Sequence, residues 1–298
     1  MQNRIQSEIK KGGYMTKSTS KIYIPAGTLK TGYNHICDPD HHPLHHIRFG
    51  RIWLPQAGDR WEHSCADHEE VIALLSGSAV VRLESGEEFI LGPRKDPFAA
   101  PPTMLYLPPG TSYTVTSGES GLDAGLSGAK ADPQGQPFLL TPDMIKKERH
   151  GAGTWGRKVY LGTVGDFPIQ RLMVGETFNR PGQWTSYPPH KHDQDNEPQE
   201  FPYEEIYFYF LKPKTGFAIQ RVYDAPNHPD ARDEVILLRD GDTVLVPHGY
   251  HPVVGAPGYQ MGYLWIMAGV KGHRTYGQTT VDPDHQWLTQ VEPLIEYD

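Results

Sequence analysis

The run Pro188-Pro189-His190-Lys191-His192-Asp193 places two histidines two positions apart. On a β-strand, side chains with this spacing point to the same face of the sheet, so both imidazoles can reach one ion. On a helix the same spacing would turn the two rings away from each other. The run therefore predicts a metal site built on a strand.

Two later segments offer further metal ligands. The segment Glu204-Glu205-Ile206-Tyr207-Phe208-Tyr209-Phe210 alternates as a strand does, and its first residues can bring a carboxylate to the same ion. The segment from Gly241 to His251 adds an imidazole after a Pro-x-Gly turn. Histidines with a carboxylate, and water at the open positions, suit Zn²⁺, Mn²⁺, Fe²⁺ or Ni²⁺. An open coordination position is typical of a catalytic site.

Strand-like runs bounded by turn residues dominate the rest of the chain. Glycine contributes 31 residues and proline 27, so 58 of the 298 residues favour turns. This composition predicts many short strands arranged as a sandwich or a barrel. Helical patterns are scarce: Thr141-Pro142 is a start signal for a helix over Thr141–Arg149, and a second short helix is predicted over Pro283–Leu288.

The two halves of the sequence repeat one pattern. Leu105 to Gly110 reads Leu-Tyr-Leu-Pro-Pro-Gly, and Leu245 to Gly249 reads Leu-Val-Pro-His-Gly, so each half has an apolar strand ending in Pro-x-Gly. We interpret the pattern as a duplicated β-barrel unit. The expected domains are a flexible tail over residues 1–19, in which Met15 is a candidate natural start, a barrel over 20–140 and a second barrel over 141–298.

Composition excludes several classes of function. Lys and Arg number 28 against 36 Asp and Glu, and the net charge of −8 without a basic run argues against nucleic acid or an anionic membrane as the partner. Two cysteines form no disulfide framework, and no apolar run reaches the length of a membrane span. Without an apolar signal core at the N-terminus, a cytoplasmic location is expected. The G-x-G-x-x-G pattern at 151–156 follows a charged run instead of a buried strand, so we do not predict a dinucleotide site.

Taken together, the His-x-His pair, the glutamate and the Pro-x-Gly turn before a histidine resemble the two motifs of the cupin superfamily. Within the cupins the chain resembles the 5-deoxy-glucuronate isomerase family over about residues 20–298, most strongly from 149 to 290. The segments that carry this resemblance are Arg149–Gly153, Tyr187–Asp193, Glu204–Phe210, Gly216–Tyr223, Val246–Val253, Ala256–Tyr259 and Met267–Gly269.

The resemblance implies an all-β bicupin of two antiparallel jelly-roll barrels, of which the C-terminal one is catalytic. A divalent metal ion is implied, with Zn²⁺ first and Mn²⁺, Fe²⁺ or Ni²⁺ as alternatives. Its expected ligands are His190, His192, Glu205 and His251. Glu197 stands at the spacing usual in cupins and Glu204 is also a rival, but Glu205 is preferred because cupin carboxylates lie at the entry of the next strand.

The implied activity is a metal-dependent aldose–ketose isomerase of myo-inositol catabolism, which converts 5-deoxy-D-glucuronate to 2-deoxy-5-keto-D-gluconate. Tyr207, Tyr209 and a metal-bound hydroxide are candidates for the base. Arg180 ranks first among the arginines for the substrate carboxylate, ahead of Arg171 and Arg221. Alternative readings are a related ketouronate isomerase, a cupin dioxygenase that uses iron and oxygen, and a non-enzymatic sugar-binding cupin.

The first half resembles a degenerate copy of the catalytic barrel. His63 stands alone where a His-x-His pair is expected, and Tyr113 follows Leu107-Pro108-Pro109-Gly110 where a histidine is expected. We therefore predict no metal there. The expected partners of the whole chain are a small-molecule sugar acid and further copies of itself, with the first half closing the barrel pair or building a subunit interface.

Overall fold

A computed structural model of the protein describes residues 20–269 and 274–295. About 50% of the chain is strand and 5% is helix, and the sheets are antiparallel, so the all-β bicupin prediction is confirmed. The tail predicted for residues 1–19, with its candidate start at Met15, lies outside the described residues. Among the residues described, no helix has both the length and the apolar character needed to cross a membrane.

The first half forms one eight-stranded sheet. Its strands run in the order β2-β3-β8-β5-β7-β9, and β4 and β6 pair with β8 and β5. The strands up to this point of the chain are β1 (Tyr23–Ile24), β2 (Gly32–Cys37), β3 (Arg48–Leu54), β4 (Arg60–Ser64), β5 (His68–Leu83), β6 (Glu88–Arg94), β7 (Met104–Leu107), β8 (Ser112–Lys130) and β9 (Phe138–Leu140).

The second half forms three sheets. A seven-stranded sheet has the order β1-β18-β15-β20-β12-β11-β10, so the N-terminal strand β1 completes it; β13-β19-β16-β17 and β14-β21 form the other two. The strands are β10 (Lys146–His150), β11 (Arg157–Leu161), β12 (Leu172–Asn179), β13 (Trp184–Thr185), β14 (His190–Lys191), β15 (Tyr203–Lys212), β16 (Ala218–Tyr223), β17 (Asp233–Leu238), β18 (Thr243–Val246), β19 (Val253–Gly255), β20 (Gln260–Gly269) and β21 (Thr280–Val281).

Helices are short and lie at the joint and near the C-terminus. Turns of 3₁₀ helix cover Gly153–Trp155, Pro283–His285 and Glu292–Leu294, and the α-helix α1 covers Trp287–Val291. The helix predicted over Thr141–Arg149 is wrong, because Lys146 to His150 pair with β11 along their whole length and this pairing outweighs helix propensity. The helix predicted over Pro283–Leu288 is only partly present, since its α-helical part begins at Trp287.

One hydrophobic cluster contains residues of both halves, and a second cluster lies within the first half. Aromatic side chains from both halves meet in the shared cluster, and the ring centroids of Phe49 and Phe208 lie 5.5 Å apart. In the second half, β15 is buried along nearly its whole length, and it lies between β18 and β20 in the sheet. From Ile206 to Leu211, the sequence of β15 is a continuous run of large aliphatic and aromatic residues.

Two buried glutamates tie the halves together reciprocally. The carboxylate of Glu69 accepts hydrogen bonds from the backbone N–H groups of residues 170–172 at 2.7–2.9 Å. The carboxylate of Glu204 accepts hydrogen bonds from the backbone N–H groups of residues 45–47 at 2.6–2.7 Å. Each glutamate lies at the start of a central strand and reaches the segment before the first long strand of the other half. The geometry fits a duplicated unit.

A buried ion pair adds a third link between the halves. The Arg94 guanidinium donates to both carboxylate oxygens of Glu176, at 2.8 and 2.6 Å, and both side chains are almost completely buried. Its remaining N–H groups donate to the carbonyl oxygens of Leu74, Pro97 and Ala100. Burial raises the pKa of Glu176, and the charge of Arg94 opposes that shift.

Replacement of Arg94 by leucine should lower the free energy of unfolding by about 3–5 kcal/mol, because it leaves Glu176 buried without its counter-charge. The double variant Arg94→Leu/Glu176→Leu should recover much of this loss, since no charge then remains buried. Denaturant midpoints of the two variants and the parent provide the measurement. A single variant no less stable than the double variant would show that the pair does not carry the contact between the halves.

Candidate metal centre

Three neighbouring elements carry the histidines and the glutamate predicted as metal ligands. His190 lies in β14, and His192 is the first residue after that strand. Glu205 lies in β15 opposite Val246 of β18. His251 lies in the turn between β18 and β19, two residues after Gly249. That turn requires glycine at 249, where φ is +93° and a Cβ atom would lie 2.4 Å from a side-chain oxygen of Asp224.

Each histidine ring is oriented by a backbone carbonyl. The Nδ1 atoms of His190, His192 and His251 lie 2.9, 3.1 and 2.9 Å from the carbonyl oxygens of residues 188, 203 and 249. A carbonyl oxygen only accepts hydrogen bonds, so each Nδ1 carries the proton. The Nε2 atoms are then available as ligands, in the arrangement by which outer partners orient metal-binding histidines.

The ring nitrogens converge on Glu205. His192 Nε2 lies 3.1 Å and His251 Nε2 lies 3.5 Å from the same carboxylate oxygen. Donor atoms of His192, Glu205 and His251 all lie within 4.8 Å of one another, and the three residues are buried. The His190 ring lies outside this group of three but adjoins it, with its centroid 5.1 Å from that of His251.

The protonation states of His190 and His251 suit the binding of a cation. Burial lowers the pKa of His190 and of His251 to about 3, so both rings are neutral and able to bind a metal ion. Burial also disfavours the charged form of His192, but the hydrogen bond to Glu205, the charge of that carboxylate and backbone hydrogen bonds together outweigh burial and raise the pKa of His192. His251 Nε2 is buried with no hydrogen-bond partner among the described residues. An orphaned neutral nitrogen beside a carboxylate fits a divalent metal ion.

The two rival glutamates lie elsewhere. Glu204 faces the opposite way along β15 and binds the backbone of the first half, as described above. Glu197 is exposed, in the loop between β14 and β15. Of the three carboxylates, the structure places only Glu205 with His192 and His251.

A charged network behind the histidines joins their strand to the turn that carries His251. Lys191 Nζ lies 2.6 Å from Asp193 Oδ1 and 2.9 Å from Glu200 Oε1. The other oxygen of Asp193 accepts the backbone N–H of Gly249 at 2.7 Å. Sequence analysis missed Asp193 and Glu200, because nothing in their spacing shows that the loop folds back onto Lys191.

A cavity of about 490 Å³ is lined in part by His190, His192 and Glu205, and we call it the metal cavity. Tyr207 and Tyr263 form part of its wall, with stacked rings whose centroids lie 4.2 Å apart. The hydroxyl of Ser186 lies 2.7 Å from that of Tyr207. Burial raises the pKa of Tyr207 well above its usual value, so the phenol stays protonated at neutral pH. Tyr207 is therefore suited to donate a hydrogen bond to a substrate oxygen and unsuited to be a base.

The other predicted side chains lie at different positions. Tyr209 is not among the residues that line the metal cavity, and its hydroxyl donates to Gln220 Oε1 at 2.8 Å; Gln220 in turn donates to the backbone carbonyl of His251. Arg180 lines a neighbouring cavity. Sequence analysis missed Arg149 and Arg157, which both line the metal cavity.

In the first half, the glutamate that corresponds to Glu205 is Glu70, and side chains of the protein donate hydrogen bonds to it. Glu70 accepts hydrogen bonds from the His63 ring at 3.0 Å, the Cys65 thiol at 3.2 Å and the Tyr113 hydroxyl at 2.9 Å. The Arg48 guanidinium also donates to it. Glu70 follows Glu69 in the sequence as Glu205 follows Glu204. The positive charge next to the Glu70 carboxylate comes from that arginine.

A second group of three donor residues consists of Asp224, His228 and His248. Arg232 contacts it: the guanidinium lies 3.4 Å from Asp224, and the backbone N–H of Arg232 donates to the same carboxylate. His248 Nδ1 lies 2.7 Å from the other oxygen of Asp224. The arginine thus supplies the positive charge that Asp224 needs.

Comparison with known proteins identifies relatives over most of the chain. A family model described as the KduI/IolB family matches residues 23–288. The 5-deoxy-glucuronate isomerase of Geobacillus kaustophilus is 36% identical over 245 residues, which cover 80% of this chain and 84% of the relative. The protein of the same name from Shouchella clausii is 33% identical over 281 residues, covering 93% and 98%.

Solved structures show the same architecture. An IolB-like protein from Salmonella typhimurium LT2 superposes with a TM-score of 0.82 at 30% identity, covering 90% of this chain and 99% of that one. The oxalate decarboxylase of Lactobacillus farciminis, solved with formate, superposes with a TM-score of 0.64 at 12% identity, covering 92% and 91%. The second likeness shows the fold alone.

Purified protein should contain about one divalent ion per chain, and His251→Ala should lose it, because the variant removes one buried nitrogen of the convergent group. His63→Ala is the matched control: it removes the corresponding type of side chain from the first half and should leave the metal content unchanged. Elemental analysis of the three proteins gives the answer. Equal metal content in all of them would contradict the assignment.

Proposed function

The chain belongs to the KduI/IolB family, and from this premise we propose that it is a 5-deoxy-glucuronate isomerase. The proposed reaction converts 5-deoxy-D-glucuronate to 2-deoxy-5-keto-D-gluconate in myo-inositol catabolism. The observation that carries the proposal is the buried His192–Glu205–His251 group, open to a cavity, in a chain whose relatives of that name match it over most of its length.

The reaction is an internal redox exchange between neighbouring carbons. A proton leaves the carbon that bears the hydroxyl next to the aldehyde, an enediol forms, and a proton returns to the former aldehyde carbon. Electrons are neither gained nor lost overall, so no external oxidant is required. The cavity must therefore polarise one carbonyl and move protons between positions close to it.

The metal residues in this proposal are His190, His192, Glu205 and His251. We propose Zn²⁺ as the ion, since neutral imidazoles with one carboxylate suit it, and Mn²⁺, Fe²⁺ or Ni²⁺ would suit the same donors. A divalent cation held there would supply Lewis-acid polarisation of the substrate's carbonyl. The orientation of the rings by backbone carbonyls means that the site is formed before substrate enters.

Tyr207 and Tyr209 have different roles in this proposal. Tyr207, protonated and hydrogen-bonded to Ser186, donates a hydrogen bond to a substrate oxygen on which negative charge develops. Tyr209 acts as a positioning residue, because its hydrogen bond to Gln220 supports the backbone at His251. Of the two tyrosines, only Tyr207 lines the metal cavity.

A related ketouronate isomerase is the second candidate. It would also interconvert an aldose and a ketose of a sugar acid, so the same metal residues and the same cavity would serve it. The dioxygenase reading has less support, because the relatives found along most of the chain are named as isomerases.

Metal-loaded protein should convert 5-deoxy-D-glucuronate at the same rate with and without oxygen, because the reaction needs no oxidant. In D₂O, the product should carry solvent deuterium on the carbon that becomes CH₂OH. Product analysis by NMR under both atmospheres provides the measurement. A strict oxygen requirement would refute the isomerase, and turnover only of a galacturonate-derived ketouronate would favour the second candidate.

Tyr207→Phe should lower kcat about 100-fold with unchanged metal content, because it removes a hydrogen-bond donor next to the reacting carbons. Tyr113→Phe is the control, since it removes a buried hydroxyl that also bonds near a glutamate, but in the first half. Steady-state kinetics and elemental analysis of both variants are needed. Equal kcat for Tyr207→Phe and the parent would remove Tyr207 from the mechanism.

A further inference from the structure

A second cavity, of about 510 Å³, shares Arg149 and Arg157 with the metal cavity. We call it the basic cavity, because Lys158 and Arg180 line it as well and no aspartate or glutamate is among the described residues that line it. Four basic side chains with no acidic side chain among them form a local concentration of positive charge in a chain of net charge −8. Such a concentration of one charge sign attracts anions.

Arg157 is the cation best placed between the two cavities. It begins β11 and is half-buried, and its register partners are His150 in β10 and Asn179 in β12. One Nη1–H group donates to the backbone carbonyl of Tyr187 at 3.0 Å. This bond holds the guanidinium against the segment that leads to His190.

Arg157 has no carboxylate partner in the part of the chain that the structure describes. In residues 20–269 and 274–295, no aspartate or glutamate forms an ion pair with it. A guanidinium has five N–H donors in a planar fork, so the bond to Tyr187 leaves donors for a bidentate contact. A carboxylate is the anion that matches this fork in a sugar substrate.

We infer that Arg157 binds the carboxylate of the substrate and makes the enzyme selective for sugar acids over neutral aldoses. The inference rests on the proposed function, because it needs an aldehyde at the metal residues and a carboxylate at the remote end of the same molecule. A neutral sugar would leave the Arg157 guanidinium without its partner, and sites built to bind a polar group reject analogues that lack it.

The remaining cations of the basic cavity attract the anion before it reaches Arg157. Lys158 Nζ lies over the rings of Tyr160 and Phe178, 4.6 and 5.0 Å from their centroids, so aromatic faces hold this charge at the cavity. Arg180 adds charge to the same cavity. Long-range attraction of this kind raises the association rate and weakens as salt is added.

Two other arginines considered from the sequence are engaged elsewhere. Arg221 forms a two-pronged ion pair with Asp233 on an exposed strand. The Arg171 guanidinium donates to the backbone carbonyl of Gly269. Neither arginine lines the metal cavity or the basic cavity.

The first test compares the binding of D-glucuronate and D-glucose, which differ by a carboxylate in place of a hydroxymethyl group. Isothermal titration should show that the metal-loaded parent binds the acid at least about 10-fold more tightly, as charge-assisted hydrogen bonds allow. Arg157→Gln should lose this preference without weaker binding of glucose, and Arg157→Lys should retain part of it. Arg221→Gln, the matched control, should keep the full preference.

These outcomes separate the inference from the proposed function. If the parent prefers glucuronate and Arg157→Gln does not, the inference holds even when 5-deoxy-D-glucuronate is not converted. If 5-deoxy-D-glucuronate is converted but Arg157→Gln keeps the preference for the acid, the inference is wrong and the isomerase stands. Elemental analysis must show equal metal content in all the variants.

The second test concerns attraction at a distance. For 5-deoxy-D-glucuronate, kcat/KM of the parent should fall as ionic strength rises, and Lys158→Gln/Arg180→Gln should show a lower value with a flatter salt dependence. The kcat of this double variant should change little, because neither side chain lines the metal cavity. An unchanged salt dependence would remove the basic cavity from the account.

Discussion

The geometry of the candidate metal centre depends on one constraint, which is that three imidazoles, those of His192 and His251 buried and that of His190 partly buried, each donate to a backbone carbonyl through Nδ1. Because a carbonyl cannot donate, this fixes the proton on Nδ1 and directs Nε2 away from the backbone. Two of the three Nε2 atoms lie within 3.5 Å of one carboxylate oxygen of Glu205. Without a cation, a buried nitrogen such as His251 Nε2 would stay unpaired at a cost in free energy.

The duplicated fold solves the same electrostatic problem in two ways. Each half has a pair of adjacent glutamates at the start of a central strand, the first of which binds the backbone of the other half. The second glutamate of each pair faces its own barrel. In the first half, Arg48 supplies the positive charge beside Glu70, and a thiol and a phenol stand beside it. In the second half, imidazoles surround Glu205, and a metal ion supplies the charge in our proposal.

The alternation of side chains made part of this site predictable. Strand periodicity placed His190 and His192 on a common face, the resemblance to cupins favoured Glu205, and the Pro-x-Gly turn pointed to His251. The helix expected over Thr141–Arg149 failed because local propensity does not register the pairing of those residues with β11. Arg157 could not be found from spacing, since its place in the cavity wall depends on how β10, β11 and the loop before His190 pack.

The contacts around Glu70 in the first half were likewise not predictable from the sequence. Sequence analysis noted His63 and Tyr113 as isolated remnants, yet both donate to Glu70 together with Cys65. Cys65 stands two positions after His63, in the place of the second histidine of a His-x-His pair, and only the convergence of the side chains shows the correspondence. Contacts between residues distant in sequence have no local signal when the residue types differ.

Anomalous X-ray diffraction at the absorption edge of the metal that co-purifies with the protein tests the central claim most directly. We predict one anomalous peak per chain, within bonding distance of the Nε2 atoms of His190, His192 and His251 and of a carboxylate oxygen of Glu205. A peak bound through Nδ1, or a peak at Glu70 or at Asp224 in place of Glu205, would contradict the account.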